Sequence, residues 1–184
     1  SDPRKSGIES GRSIKLAWAY RGLYALQQTG SDDEIMRQVV MMRGRMVHDS
    51  EGKNHFLRYG KDDSEVIWSV HRGRLNLALI EAAEQQGVHI QFGAKIEHVD
   101  VAEQIFHYSQ DGLSHFEPYE QLIASDGAGS SIRHCLVQQN LIEEKIESLG
   151  HNYRELEIAP DHNNDFKLDA NALHIWPRGG FMCI

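Results

Sequence analysis

Residues 122–134, LIASDGAGSSIRH, hold the densest group of side chains able to do chemistry. An apolar run ends in Asp126. Gly127 and Gly129 follow with one residue between them, then two serines and Arg133. A strand that stops at an acid, a glycine turn and a helix N-terminus form an anion site, because the first N–H groups of a helix lack partners within it. Glycines let the backbone turn tightly and approach a ligand. Asp126 can accept hydrogen bonds from sugar hydroxyls or fix the turn, and Arg133 can pair with a phosphate. A plainer reading stands beside this one. Ile132 occupies the place of the third glycine of a G-x-G-x-x-G turn, and no acid stands about 20 residues on at the end of a following strand. A structural turn with Asp126 capping the helix explains the spacing equally well.

The elements around this stretch are read from periodicity. YRGLYALQQTG (20–30) predicts a helix closed by Gly30. Ser31 and Glu34 have capping-box spacing, which predicts a second helix over DDEIMRQVV. RGRMVHD and NHFLRYG read as two strands around the turn SEGK, and SEVIWSV as a further extended segment. Leu75, Ala78, Leu79 and Ala82 follow helical spacing up to Gly87. VHIQF (88–92) alternates like a strand with one buried side. Strands are also expected near 95–101, 104–109, 153–159 and 173–177, with FMCI returning after the turn RGG. The fold class is α/β, in an α/β and α+β mix: βαβ pieces beside antiparallel hairpins, as in a nucleotide-binding core carrying a sheet that covers a pocket.

Composition narrows the function. The 184 residues include 19 Lys and Arg against 27 Asp and Glu, a net charge of −8. That balance argues against nucleic acid as a partner, which usually demands a basic stripe. Cys135 and Cys183 have no zinc or C-x-x-C spacing and read as reduced thiols of a cytoplasmic protein. The 11 histidines show no paired ligand spacing, so no metal site is expected. No apolar run approaches the roughly 20 residues of a membrane span, and membrane association is not indicated. The chain opens on a charged loop and closes on GGFMCI, inside a strand. It is expected to be a fragment, since a strand left without a partner exposes its edge.

The stretch that ends in Arg133 resembles the DG motif of the FAD-dependent single-component aromatic hydroxylases. The matching residues are Leu122, Ile123, Asp126, Gly127, Ser130, Ile132 and Arg133. Further segments, GRSIKLA, MMRGRMVH, YGKDDSEVIWSVHRGRLN, YRELEI and NALHIWPRGGFMCI, resemble the members of that family that act on L-kynurenine. They run in the family's order from Asp2 to Ile184.

The resemblance implies an NADPH- and oxygen-consuming monooxygenase that hydroxylates L-kynurenine to 3-hydroxykynurenine, a step of tryptophan degradation and pyridine nucleotide synthesis. A flavin hydroxylase with another aromatic acid as substrate, or an inactive fragment, are the alternatives. It implies a partial FAD-binding, Rossmann-like core (1–40 and 68–140) and antiparallel strands of a substrate domain (41–67 and 150–184). It implies that Arg45 and Tyr59 bind the substrate carboxylate, and that Ala17, Arg72, Ile96 and Asp126 line the FAD site. No residue is implied as a catalytic acid, base or nucleophile.

Taken without the family, Arg45 is a strand surface charge, Tyr59 a hairpin anchor and Arg72 a helix cap. His174 and Trp176 share a strand face as pocket wall or as packing. Lys15 stands where the family usually has Asn. The family's GxGxxG turn and its later Gly-Asp motif are expected outside this chain, so the chain alone is expected to bind FAD weakly or not at all. The carboxylate site further requires Arg45 and Tyr59 on one side of their sheet.

Overall fold

The computed structural model describes residues 2–6 and 15–184. Two units divide the chain: Pro3–His89 with Arg154–Ile184, and Ile90–Tyr153.

The larger unit begins with α1 (Pro3–Ser6), β1 (Lys15–Trp18), α2 (Tyr20–Thr29) and α3 (Asp32–Met36). Strands β2 (Val39–Met42), β3 (Gly44–His48), β4 (Asn54–Arg58) and β5 (Ile67–His71) follow, then helix α4 (Arg72–Gln85). The smaller unit holds β6 (Lys95–Asp100), β7 (Ile105–Gln110), β8 (Leu113–Pro118) and α5 (Ser131–Gln138). The chain then returns to the larger unit with β9 (Ala172–Arg178) and β10 (Phe181–Cys183). The architecture is a mixed α/β one, as its element pattern predicts.

Helix α2 ends where Gly30 takes φ 65°, a left-handed turn that glycine enters without a Cβ clash. The turn lets α3 follow at once, and the two helices pack over the sheet β1-β5-β2. Leu26, Ile35, Val70, Leu75 and Ala78 form the core of this layer, with Leu16, Trp18 and Val39 against it. The capping box over Ser31 does not form: Ser31 makes no cap hydrogen bond and instead meets Thr29 Oγ1 at 3.1 Å. The helix is also shorter than predicted. Val39 and Val40 leave it for β2, since β-branched residues fit a strand and β5 offers a partner in register, Val39 opposite Val70.

The second sheet has the order β10-β9-β3-β4. Strands β3 and β4 form the hairpin that alternation predicts, with Arg45 opposite Leu57. Strand β9 adds on the other side of β3, parallel to it, with Leu173 opposite Arg45. Asn171 locks this junction: its backbone oxygen accepts from Arg43 N at 2.8 Å, and its amide donates to Met41 O at 2.8 Å.

In the smaller unit, β6-β7-β8 is an antiparallel meander with α5 packed on β6. Val99, Tyr108, Ile132 and Cys135 are its buried apolar residues. Gln139 donates to Val99 O at 2.7 Å, pinning the end of α5 to the sheet.

Three segments predicted as strands are not strands: 88–92, the run into Asp126, and 153–159. Each carries apolar residues, yet Val88, Ile123, Leu156 and Ile158 are exposed. A segment becomes a strand only when a neighbouring strand pairs with it in a ladder, and these three join no ladder among the described residues. The first twelve residues, expected as a loop, are described only over 2–6, which include the short helix α1; the rest, with Gly7 and Gly11, lie outside the described residues.

Candidate functional site

The β3–β4 hairpin carries the first group of candidate residues. Arg45, mid-strand, is exposed, and Tyr59 follows the last residue of β4. Alternation places Arg45, Leu57 and Leu173 on one face. The Arg45 guanidinium carbon lies 5.5 Å from the centroid of the Tyr59 ring. This is within the range of a cation–π contact, so the two residues share a side of the sheet. Tyr59 N donates to Arg43 O at 3.1 Å, which fixes where the side chain leaves the hairpin. The Tyr59 hydroxyl is buried and has no hydrogen-bond partner. Buried polar groups in folded proteins are nearly always bonded, so an orphaned phenol marks a place where something polar belongs. Arg45 pairs with no acid among the described residues, leaving its donors free for a carboxylate.

The loop after Tyr59 is tightly bound. Asp63 accepts from Arg43 Nε at 2.9 Å and from Arg58 at 3.0 Å. The Arg43 hydrogen bond, with Arg58 second, holds the Asp63 carboxyl below the usual aspartate range. Glu65 accepts from Lys61 N at 3.1 Å, and Asp62 from Ser64 N at 2.9 Å. Gly60 leaves no room for a Cβ, which would fall on the Glu65 side chain and within 2.9 Å of its carbonyl oxygen.

The opposite face of this sheet carries His48, His174 and Trp176. His48 stacks on Trp176 at 4.2 Å with 6° between the planes, and on His174 at 5.1 Å. His48 Nε2 meets His174 Nδ1 at 2.8 Å, His48 Nδ1 meets Asn54 Oδ1 at 2.8 Å, and His174 Nε2 meets Asp169 O at 2.9 Å. The rings are engaged with one another, away from the Arg45 face.

Two further candidates lie in the larger unit. Ala17 is exposed in β1, opposite Ser69 of β5, and Lys15 is exposed at the start of the same strand, opposite His71. Arg72 opens α4 but does not cap it. The cap is His71, whose Nδ1 accepts from Gly73 N at 3.1 Å. Arg72 is exposed and has no acid partner among the described residues. Histidine is not a usual N-cap, so nothing in the residue type marked His71 for this role.

The smaller unit holds Ile96 and Asp126. Ser130 is the N-cap of α5, accepting from Arg133 N at 2.9 Å. Asp126 accepts from Ser130 Oγ at 2.6 Å and from Ile132 N at 3.3 Å. The Ser130 hydrogen bond, with the backbone N–H of Ile132, holds the Asp126 carboxyl below its ordinary value. The cap expected of Asp126 thus falls to Ser130, and Asp126 braces it while accepting a first-turn N–H of the helix. Arg133 does not reach outward: it donates to Ala128 O at 2.5 Å and pairs with Glu144. Gly127 has φ 79°, and no heavy atom lies within 4 Å of a Cβ placed on Gly127 or Gly129. A ligand can therefore lie directly against their backbone. Ile96 precedes a bulge in β6 and lines a cleft shared with Gly129, Ser130 and Arg133.

Among the described residues no cluster of three or more His, Cys, Asp or Glu can hold a metal ion, and no helix is long and apolar enough to cross a membrane. Cys135 and Cys183 are free thiols.

No protein-family model matches the chain. Curated relatives do. Over the whole chain it is 48% identical to kynurenine 3-monooxygenase of Xanthomonas axonopodis pv. citri (strain 306), and 48% identical to the enzyme of that name from Stenotrophomonas maltophilia (strain K279a). Among solved structures, p-nitrophenol 4-monooxygenase from Pseudomonas putida DLL-E4 matches with a TM-score of 0.62 at 17% identity, over 70% of this chain and 34% of that one. The tetrameric form of 2-methyl-3-hydroxypyridine-5-carboxylic acid oxygenase matches with a TM-score of 0.58 at 18% identity, over 71% of this chain and 33% of that one. The fold is shared with these oxygenases. Along its whole length the chain is homologous to the kynurenine 3-monooxygenases, and it spans 41% of their length.

Proposed function

We propose that this chain provides the carboxylate seat and part of the flavin-binding surface of an FAD- and NADPH-dependent monooxygenase that converts L-kynurenine to 3-hydroxykynurenine with molecular oxygen. The observation that carries the reading is the pair Arg45–Tyr59: among the described residues, a guanidinium with no acid partner, 5.5 Å from the ring of a tyrosine whose buried hydroxyl has no hydrogen-bond partner. The relatives' name supports the choice of substrate.

Arg45 offers a planar fork of N–H donors that matches both oxygens of an amino-acid carboxylate. Tyr59 adds one directed O–H donor. Its ring holds the guanidinium from below, so the fork is pre-oriented rather than found on binding. Fixing the carboxylate end aims the aniline ring at the cofactor, and positioning of this kind is a large share of the rate in a reaction that needs no protein nucleophile. The substrate's own amino group activates the ring carbon next to it.

FAD, when bound, supplies the redox chemistry, taking reducing equivalents from NADPH and activating oxygen. On this chain Ala17, Arg72, Ile96 and Asp126 are the residues that the resemblance proposes for the cofactor. The bare backbone at Gly127 and Gly129 fits an approach of this kind. Asp126 acts there by holding the turn open through Ser130. The test is turnover with NADPH in the full-length protein: kynurenine should be preferred over a panel of hydroxybenzoates in kcat/KM, with NADPH oxidation coupled to product. A benzoate turned over with higher kcat/KM would assign the site to a different aromatic acid.

A further inference from the structure

Arg45 is one of three arginines at the β3–β4 hairpin. Arg43 precedes β3 and Arg58 ends β4. Asp63, in the loop beyond Tyr59, engages both of them, one through each carboxylate oxygen, at 2.9 and 3.0 Å. The circuit also runs through the backbone. Tyr59 N donates to Arg43 O, and Arg58 Nε reaches Gly60 O at 3.4 Å. Tyr59 is therefore bracketed on both sides by residues that Asp63 ties together.

The pairs are half-exposed, with side-chain exposures of 36% for Arg43, 43% for Arg58 and 48% for Asp63. Ion pairs this open add little to folding. Their consequence is electrostatic and geometric. Arg43, opposite Tyr59, shares the Arg45 face, while Arg58, opposite Gly44, belongs to the other. A carboxylate approaching the Arg45 face meets one guanidinium without an acid, Arg45, where it would otherwise meet two. It also meets a tyrosine whose exit from the strand is fixed.

We propose that Asp63 is a positioning residue for the carboxylate seat, holding Tyr59 beneath Arg45 through its ties to Arg43 and Arg58 and withdrawing Arg43 from competition for the ligand. This rests on the carboxylate-binding reading of Arg45 and Tyr59 given above.

The test is Asp63→Asn in the full-length protein, nearly isosteric but uncharged. Binding of kynurenine and of kynuramine, its analogue without the carboxylate, is measured by calorimetry, alongside steady-state kinetics. Kynurenine Kd and KM should rise about 5- to 10-fold with kcat within a factor of two, as expected for a loss of uniform binding. Kynuramine binding should not change, and Asp63→Glu should restore part of the kynurenine affinity. An unchanged kynurenine Kd, or an equal loss for kynuramine, overturns the proposal. Should the Asn variant fail to fold, Asp63→Glu alone decides: a longer arm should weaken kynurenine and spare kynuramine, and equal effects on both refute the role. Arg45→Ala in the same assay separates the two levels. If it weakens kynurenine while Asp63→Asn does not, only the role of Asp63 falls; if it too has no effect, the carboxylate seat itself is wrong.

Discussion

Arg45 and Tyr59 meet across the edge of a hairpin, with the guanidinium carbon 5.5 Å from the ring centroid. Nothing local brings them together. The pairing depends on Arg45 lying opposite Leu57, which puts residue 59 one alternation further along the same face. A one-residue slip of β4 would turn Tyr59 to the side of His48 and Trp176.

Arg45→Ala should weaken kynurenine binding by about 10- to 100-fold, the range for losing a hydrogen-bonded charge partner. FAD content should not change, because Arg45 is not among the residues assigned to the cofactor. Arg45→Lys should fall between, since an ammonium cannot grip two oxygens from a rigid fork. Calorimetry with kynurenine and a flavin absorbance spectrum check both halves.

Tyr59→Phe should act with opposite signs on stability and on binding. The hydroxyl is buried without a partner, so deleting it should leave the ligand-free protein as stable or more stable by up to about 1 kcal/mol. Kynurenine affinity should fall about 5- to 20-fold for the lost donor. Thermal melts with and without kynurenine read the two effects. A destabilised free protein with normal affinity would make Tyr59 a hairpin anchor and no more.

Gly44→Ala should damage the site from beneath. A Cβ there would fall on the Leu57 carbonyl oxygen and within 2.9 Å of Arg58 Cα, both backbone atoms that cannot step aside. The strands β3 and β4 must part, at a cost of about 2 kcal/mol or more. Denaturant unfolding gives the loss, and kynurenine affinity should drop with it, because Arg45 and Tyr59 would no longer be in register.

Asp126→Asn should show its effect through pH. The folded carboxyl titrates below its ordinary 3.8, chiefly through the Ser130 hydrogen bond. A lowered folded pKa means the stabilisation is present above the unfolded pKa and disappears as pH falls through the folded one. The variant should therefore melt below the wild type at pH 7. The gap should narrow once pH drops below about 4 and close further toward the folded pKa. A gap independent of pH would show that the carboxylate charge is not what holds the turn.

How much of this was legible in the residues differs from element to element. The β3–β4 hairpin, the end of α2 at Gly30 and the strand pair β9–β10 follow from alternation and turn chemistry, which are local. Strand β2 was hidden inside a predicted helix, because only the distant partner β5 makes Val39 and Val40 extended. The apolar runs at 88–92 and 153–159 erred the other way: they look like strands, but pairing is a property of neighbours. Strand β8 was missed for the same reason, since LSHFEP gains its identity from β7. In the candidate site, the glycine turn could be read from spacing, whereas the cap expected at Asp126 sits on Ser130 with Asp126 behind it. Arg45 and Tyr59 could not; a family resemblance selected them, and the register explains why they meet. Asp63 was invisible, as two adjacent acids give no sign of which arginine each will hold.

The ring stack behind the hairpin has a proton count built into it. The Asp169 carbonyl can only accept, so His174 carries a proton on Nε2, and a neutral His174 turns a lone pair toward His48. His48 must answer by donating through Nε2, which leaves its Nδ1 to Asn54. If both imidazoles are neutral, Asn54 has to present its amide nitrogen there. With the amide oxygen inward, the same contacts need one extra proton, on His48 or on His174, in either case within the stack on Trp176. One carboxamide rotation therefore reports whether this sheet stores a positive charge on the side away from Arg45.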